Sequence, residues 1–276
     1  ERYRPDGLVM FSDILTILEP LGFSYHIESG TGPVIENAVS GPADVQRERE
    51  PIPERLDYVG ELLDRLDDSV GDQTSLIGFA GGPFTLASYA IAGQPSRNHL
   101  PARQFRVQHP EAFAELLDRF TEAVAEFLQY QVAHGADVVQ VFDTYAGILP
   151  PAEYERFIVP RHRRIVEAVD APTILFVRNM GGRLDQLAAA NPDVIGLDWT
   201  VEMGTAREQL DGLGVQGNLD PSVLFADRET IRERTREIIE AAGPQGHVLN
   251  LGHGVDKDTP VESVEAFVET AKNFEW

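Results

Sequence analysis

The sequence predicts an α/β protein: a (β/α)8 TIM barrel whose first βα unit is missing from the 276 residues. Three observations carry this reading. Short apolar runs rich in β-branched residues alternate with amphipathic stretches, the pattern of a parallel sheet with right-handed crossovers. The runs are apolar throughout, as strands covered on both faces are. Units of this kind follow one another with no break into a second domain, so residues 1–276 read as one barrel domain, N-terminally incomplete.

The expected strands are Leu8–Phe11, Ser75–Ala80, Asp137–Phe142, Thr173–Val177, Val194–Leu197, Gly214–Gln216 and Val248–Leu251. The chain opens almost directly on the first of them, with no preceding helix to cover it. Phe23–Glu28 and Gly32–Ile35 read as an inserted hairpin around Ser29-Gly30-Thr31. The polar, proline-containing stretch Gly41–Pro53 reads as a surface excursion, and Gly93–Pro101 as a mobile loop. Pro110–His134 is helical, with Phe113, Leu116, Leu117, Phe120, Val124 and Phe127 at three- and four-residue spacing. Further helices are expected over 151–169, 183–190, 203–211, 227–242 and 260–273. Asp227 and Thr259 suit N-caps, and Pro260 suits a first helical position. An open doubly wound sheet would also alternate strand and helix, but no Gly-x-Gly-x-x-Gly fingerprint follows any strand.

Composition excludes several function classes. Forty-five acids against 23 bases leave a formal charge of −22, and Lys257 and Lys272 are the only lysines. No basic stripe exists to neutralise phosphates, so neither a nucleic acid nor an anionic membrane surface is an expected partner. No apolar run reaches the roughly 20 residues that span a bilayer, and Glu1 to Pro5 carry no leader pattern. The expected location is the cytoplasm. Acid runs such as Glu61-Leu62-Leu63-Asp64-Arg65-Leu66-Asp67-Asp68 alternate with apolar positions, which puts the acids on an outer helix face. Such a chain resembles proteins of salt-in halophiles, where a Debye length of about 3 Å at 1 M salt screens the self-repulsion. Cysteine is absent, which removes disulfides, thiolate nucleophiles and Cys-ligated metal sites.

The active site of a barrel lies at the C-terminal ends of its strands. There the chain supplies Ser12-Asp13, Gly81-Gly82-Pro83, Asp143-Thr144-Tyr145, Arg178-Asn179, Asp198-Trp199, Asn218-Leu219-Asp220 and Gly252-His253-Gly254. Every strand ends in polar or glycine residues, more than loop composition requires, so a small-molecule pocket is expected. Structural roles compete at several positions. Asp13 equally suits a helix cap before Ile14, Asp143 a bottom-layer residue bonded to a backbone amide, and Asp198-Trp199 a structural pair in the rim. His253 between two glycines is the strongest single candidate, because the glycines let the backbone turn sharply and bring the imidazole to a ligand. His26, His99, His109, His134, His162 and His247 form no metal-ligand spacing, so no metal is expected.

Five segments resemble signature segments of the uroporphyrinogen decarboxylase family, in that family's order and spacing. They are Phe11-Ser12-Asp13-Ile14-Leu15, Gly78-Phe79-Ala80-Gly81-Gly82-Pro83-Phe84-Thr85-Leu86, Gly196-Leu197-Asp198-Trp199-Thr200-Val201, Gln216-Gly217-Asn218-Leu219-Asp220-Pro221 and Asn250-Leu251-Gly252-His253-Gly254. The resemblance runs from Arg2 to Phe274. It implies a cofactor-independent, metal-free homodimeric barrel that converts the four acetates of uroporphyrinogen III to methyls, giving coproporphyrinogen III. By the same resemblance Asp13 is the catalytic carboxylate that accepts the pyrrole N–H groups. Tyr89, Thr144 and His253 contact substrate, Phe79 and Phe142 line the cleft, Gly81 lets the substrate approach the backbone, and Arg178 anchors a carboxylate. The family's Arg-Gln-Ala-Gly-Arg-Tyr segment, whose arginines bind substrate carboxylates, is absent from these residues. It would precede Glu1, in line with the missing unit. A tetrapyrrole carrier without catalysis is the alternative. A zinc methyltransferase of the same superfamily is disfavoured, because its usual His-x-Cys ligands cannot exist in a chain without cysteine.

Overall fold

The structure, a computed structural model, describes residues 2–276; Glu1, with which both the expected domain and the Glu1–Pro5 stretch begin, lies outside them. Its frame is a curled, all-parallel sheet of seven strands: β1 (Gly7–Val9), β4 (Ser75–Gly81), β5 (Val138–Phe142), β6 (Thr173–Phe176), β7 (Val194–Gly196), β8 (Gly214–Gln216) and β9 (His247–Val248). The strands pair in chain order, and among the described residues β1 and β9 are not bonded to each other. The fold is TIM-barrel-like, with the expected strand count. A separate antiparallel hairpin, β2 (Tyr25–Glu28) and β3 (Gly32–Ile35), stands where the turn residues place it. Burial explains the apolar strand composition: six consecutive residues of β4 and all four of β6 are buried.

The helices are α1 (Ile52–Arg55), α2 (Asp57–Val70), α3 (Pro83–Ala92), α4 (Leu100–Gln108), α5 (Pro110–Ala133), α6 (Pro151–Phe157), α7 (Val159–Ala168), α8 (Leu184–Ala188), α9 (Met203–Gln209), α10 (Arg228–Ala242) and α11 (Val261–Lys272). The apolar positions read along α5 are the ones it buries. Asp227 caps α10 by accepting the Thr230 amide at 2.9 Å.

Four expectations at the periphery are corrected. Thr259 does not cap α11: Pro260 is the N-cap, Val261 is the first helical residue, and the Thr259 hydroxyl is buried without a partner. The single helix expected over 151–169 breaks at Ile158, because Pro160 has no N–H to continue the ladder of α6 and suits the first turn of α7 instead. The loop expected up to Pro101 is shorter, since α4 begins at Leu100. Gly41–Pro53 is not simply a surface excursion, because Val45 and Ile52 are buried in the core. Arg47 fastens that stretch by donating to the carbonyls of Gly22, Asn37 and Asp44, with its guanidinium 4.1 Å from the Phe23 ring centroid.

Candidate active site

The C-terminal strand ends carry a connected arc of rings. Phe11 stacks on Phe79 with centroids 6.1 Å apart, and Phe79 meets Phe142 edge-on at 5.9 Å. Phe142 meets Phe176 at 5.8 Å, Phe176 meets His253 at 6.1 Å, and His253 meets Trp199 at 6.1 Å. The arc ends on Arg178, whose guanidinium lies 4.9 Å from the Trp199 centroid. Sheet register builds this arrangement, since Gly81, Phe142 and Phe176 are successive partners across three strands. Gly196 follows Phe176 in the register, and a Cβ there would sit 3.0 Å from the Phe176 ring. Gly252 is also needed, because a Cβ on it would fall 2.4 Å from the Trp199 amide. The loop bearing His253 is thereby seated directly against Trp199.

The polar groups fall into two kinds. Asp13 is exposed, and its side chain accepts one bond, from the Leu15 amide to Oδ1 at 2.8 Å; it does not cap a helix from Ile14 as the sequence also allowed, because the 3-10 turn that follows begins at Thr16 with Leu15 as its N-cap. Its charge reaches two phenols. Tyr25 is pushed up to about 12, by burial first and Asp13 second. Tyr89 is raised well above the phenol range by burial, then by its hydrogen bond with Tyr145, with Asp13 a smaller cause. Tyr89 therefore stays a protonated donor. Asp143 and Asp198, by contrast, are buried and saturated with donors. Asp143 accepts the amides of Phe84 and Thr85 and pairs with His162. Asp198 accepts the amides of Asn179 and Thr200 and the Thr200 hydroxyl. The structural alternatives for these two aspartates hold, although Asp143 lies at the C-terminal rim rather than the bottom layer.

The Arg178 guanidinium has no acid within ion-pair distance among the described residues, and its buried Nε has no partner. It offers charge and a donor to an incoming anion. The His253 imidazole is held below its ordinary value by burial against its aromatic neighbours, then by Arg178, with Asp198 opposing. Beside it a cleft of about 390 Å³ opens between Trp199, Asp220, Phe225 and Val255. No group of three His, Asp or Glu side chains among the described residues could hold a metal.

The model of the uroporphyrinogen decarboxylase family matches residues 1–274. The uroporphyrinogen decarboxylase of Prochlorococcus marinus (strain MIT 9303) is 39% identical over 99% of this chain and 80% of that protein. That of Hordeum vulgare is 41% identical over 99% of this chain and 85% of its own length. The chain belongs to the uroporphyrinogen decarboxylase family. A methyltransferase from Methanosarcina mazei, 18% identical, superposes with a TM-score of 0.81 over 97% of this chain and 80% of that one, which shows a shared fold.

Against the residues that family resemblance singled out, the structure brings Phe79, Phe142, Arg178 and His253 into the one arc. Asp13 lies at its β1 end, and its charge reaches Tyr89 on α3. Thr144 is half-buried on the loop after β5, beside Tyr145. Gly81 is buried, and a Cβ there would sit 3.2 Å from the Ile14 carbonyl, so its missing side chain lets β4 pack against the Asp13 loop. Five rings of this uroporphyrinogen decarboxylase family member were not singled out as ligand contacts, Trp199 of the arc among them. Phe11 lay inside a quoted motif, yet it is 83% exposed and stacks on the arc. Phe176 was legible only through register. Tyr145 and His99, with ring centroids 3.9 Å apart, meet because Asn98 and His99 both take left-handed backbone angles, which no pattern announced.

Proposed function

We propose that the protein removes the four acetate carboxyl groups of uroporphyrinogen III as carbon dioxide to give coproporphyrinogen III, a step of tetrapyrrole and haem biosynthesis. The observation that supports this is the exposed Asp13 carboxylate, with hydrogen-bond capacity left open, on the rim that carries the aromatic arc. The chemistry needs little more. A proton added to the pyrrole carbon bearing an acetate makes a ring cation. The C–C bond to the carboxylate then breaks, its electron pair neutralises the ring, and carbon dioxide leaves. The exocyclic methylene takes a proton to become methyl, and loss of the first proton restores the pyrrole. Each of the four decarboxylations consumes one proton net.

In this reading Asp13 accepts the pyrrole N–H groups and stabilises the cation more than the neutral ring, which is what acceleration requires. Tyr89 and Thr144 donate hydroxyl contacts, and Phe79 and Phe142 cover the ring faces. The Gly81 backbone borders the ring, and Arg178 and His253 take side-chain carboxylates of the substrate. The acid-rich, lysine-poor surface supports a salt-rich cytoplasm as the working environment. We also infer one barrel domain over residues 1–276 that works as a homodimer, to be checked by sedimentation in molar salt. No helix among the described residues is long and apolar enough to cross a membrane.

The deciding experiment supplies reduced uroporphyrinogen III anaerobically in molar potassium chloride, then oxidises the products and separates them by carboxylate number. Seven-, six-, five- and four-carboxylate porphyrins are expected. Tight binding without conversion would leave a tetrapyrrole carrier, and neither binding nor conversion would overturn the reading.

A further inference from the structure

Helix α3 carries Tyr89, and the loop after β5 carries Thr144 and Tyr145. What holds these two pieces in mutual register is a buried network the proposed chemistry does not use. The N-cap of α3 is Gly82, which has no side chain to satisfy the first amides of the helix. Asp143 caps them from the neighbouring strand instead: Oδ1 accepts the Thr85 amide at 2.7 Å and Oδ2 the Phe84 amide at 3.3 Å. Thr85 returns the link, its hydroxyl accepting the Tyr145 amide at 3.3 Å. The fit is tight, since a Cβ on Gly82 would overlap Asp143 at 2.3 Å.

Two amides alone leave a buried carboxylate under-satisfied. The remaining donor is His162 on α7, whose Nε2–H donates to Asp143 Oδ2 at 2.8 Å, with both side chains fully buried. An ionised carboxylate only accepts, so the proton sits on Nε2, and Nδ1 faces the Tyr154 hydroxyl of α6 at 3.4 Å. The chain thus runs Tyr154, His162, Asp143, then both the α3 amides and the Thr144–Tyr145 loop.

The geometry points to His162 as a positioning residue of the active site, acting through Asp143 to set Tyr89 against Thr144. It never touches substrate. Because binding is spread over the whole aromatic arc while the chemical step depends on placement, misplacing this one wall lowers kcat and leaves KM near its original value.

This inference rests on the proposed decarboxylation, and the test separates the two. Wild-type protein is assayed first with uroporphyrinogen III, and absence of any conversion counts against the function alone. Amide hydrogen exchange at Phe84, Thr85 and Tyr145 then reads the network without turnover. His162→Met, which fills the space but donates nothing, is expected to speed exchange at all three amides and to lower kcat about tenfold, with KM within about twofold. His162→Gln, which restores a donor, is expected to recover kcat to within about threefold. Equal activity of the Met and Gln variants overturns the inference, as does unchanged exchange in the Met variant. If His162→Met does not fold, Tyr154→Phe carries the test by removing only the hydroxyl facing Nδ1. A two- to fivefold fall in kcat at constant KM then supports the inference, and unchanged kcat overturns it.

Discussion

Asp13, after β1, and Asp198, after β7, occupy equivalent places in the chain pattern, each the first acid beyond an apolar strand, yet their surroundings are opposite. Asp198 is 2% exposed and receives three donors, while Asp13 is exposed and receives one. A carboxylate whose lone pairs are already filled by backbone amides is scaffolding: it fixes the loops that present Asn179 and Thr200. A carboxylate with open lone pairs can answer a ligand. The difference shows how a barrel divides labour among similar residues at one rim. Exposure and unspent hydrogen-bond capacity, rather than residue type, are what support Asp13 over Asp198 as the proposed working acid.

The strongest way to break this contrast is Asp13→Asn. Turnover is expected to fall at least about 100-fold, the scale of losing one preorganised charge-stabilising group. Unfolding free energy should change by less than about 1 kcal/mol, because an amide oxygen can still accept from Leu15. Porphyrin chromatography and urea denaturation check the two halves. Asp198→Ala should reverse the pattern, costing about 2 kcal/mol of stability as buried donors lose their acceptor. A variant of normal stability would dissolve the distinction between the two aspartates.

The next comparison uses glycines. Gly82→Ala drives a Cβ into Asp143 and should cost about 1.5 kcal/mol by overpacking. Gly182→Ala, where a Cβ meets nothing within 4 Å, should stay within about 0.5 kcal/mol. Thermal melts of the pair would show whether tight packing is confined to the rim behind Asp143.

The smallest expected effect is on pH. Burial is the first cause holding His99, His247 and His253 below their ordinary value of 6.5. As pH falls below 6.5 the unfolded chain takes up these protons before the folded one does. Their stabilising contribution is therefore full above about pH 6.5 and declines as pH falls through the window beneath it. Urea midpoints at pH 8 and 5.5 should show the decline. His247→Gln should flatten it, since His247 is half-buried with Nε2 2.7 Å from the Gly217 carbonyl oxygen.

Much of this architecture was legible in the residues. Both-face burial of β4 and β6 follows from their unbroken apolar composition, and the α5 core face from its spacing. The hairpin was marked by Ser29-Gly30-Thr31 and the α10 cap by Asp227. The failures are local and have local causes. Pro160 split a helix that periodicity alone ran together, and Pro260 took the capping place read at Thr259. Gly41–Pro53 looked like exterior because its two arginines and three acids outnumber Val45 and Ile52, the two side chains that enter the core.

The chain pattern by itself placed Asp13, Thr144, Arg178 and His253 beyond the C-terminal ends of strands, although it ran the first strand past Val9 to Phe11 and the last past Val248 to Leu251. Only the tertiary structure decided which of them remain open to a ligand. That depends on hydrogen bonds between residues dozens of positions apart, such as Asp143 with Thr85 and His162 with Asp143. Strand periodicity is a property of neighbours and is written locally, whereas the capacity left on a carboxylate is what remains after distant amides have claimed their share.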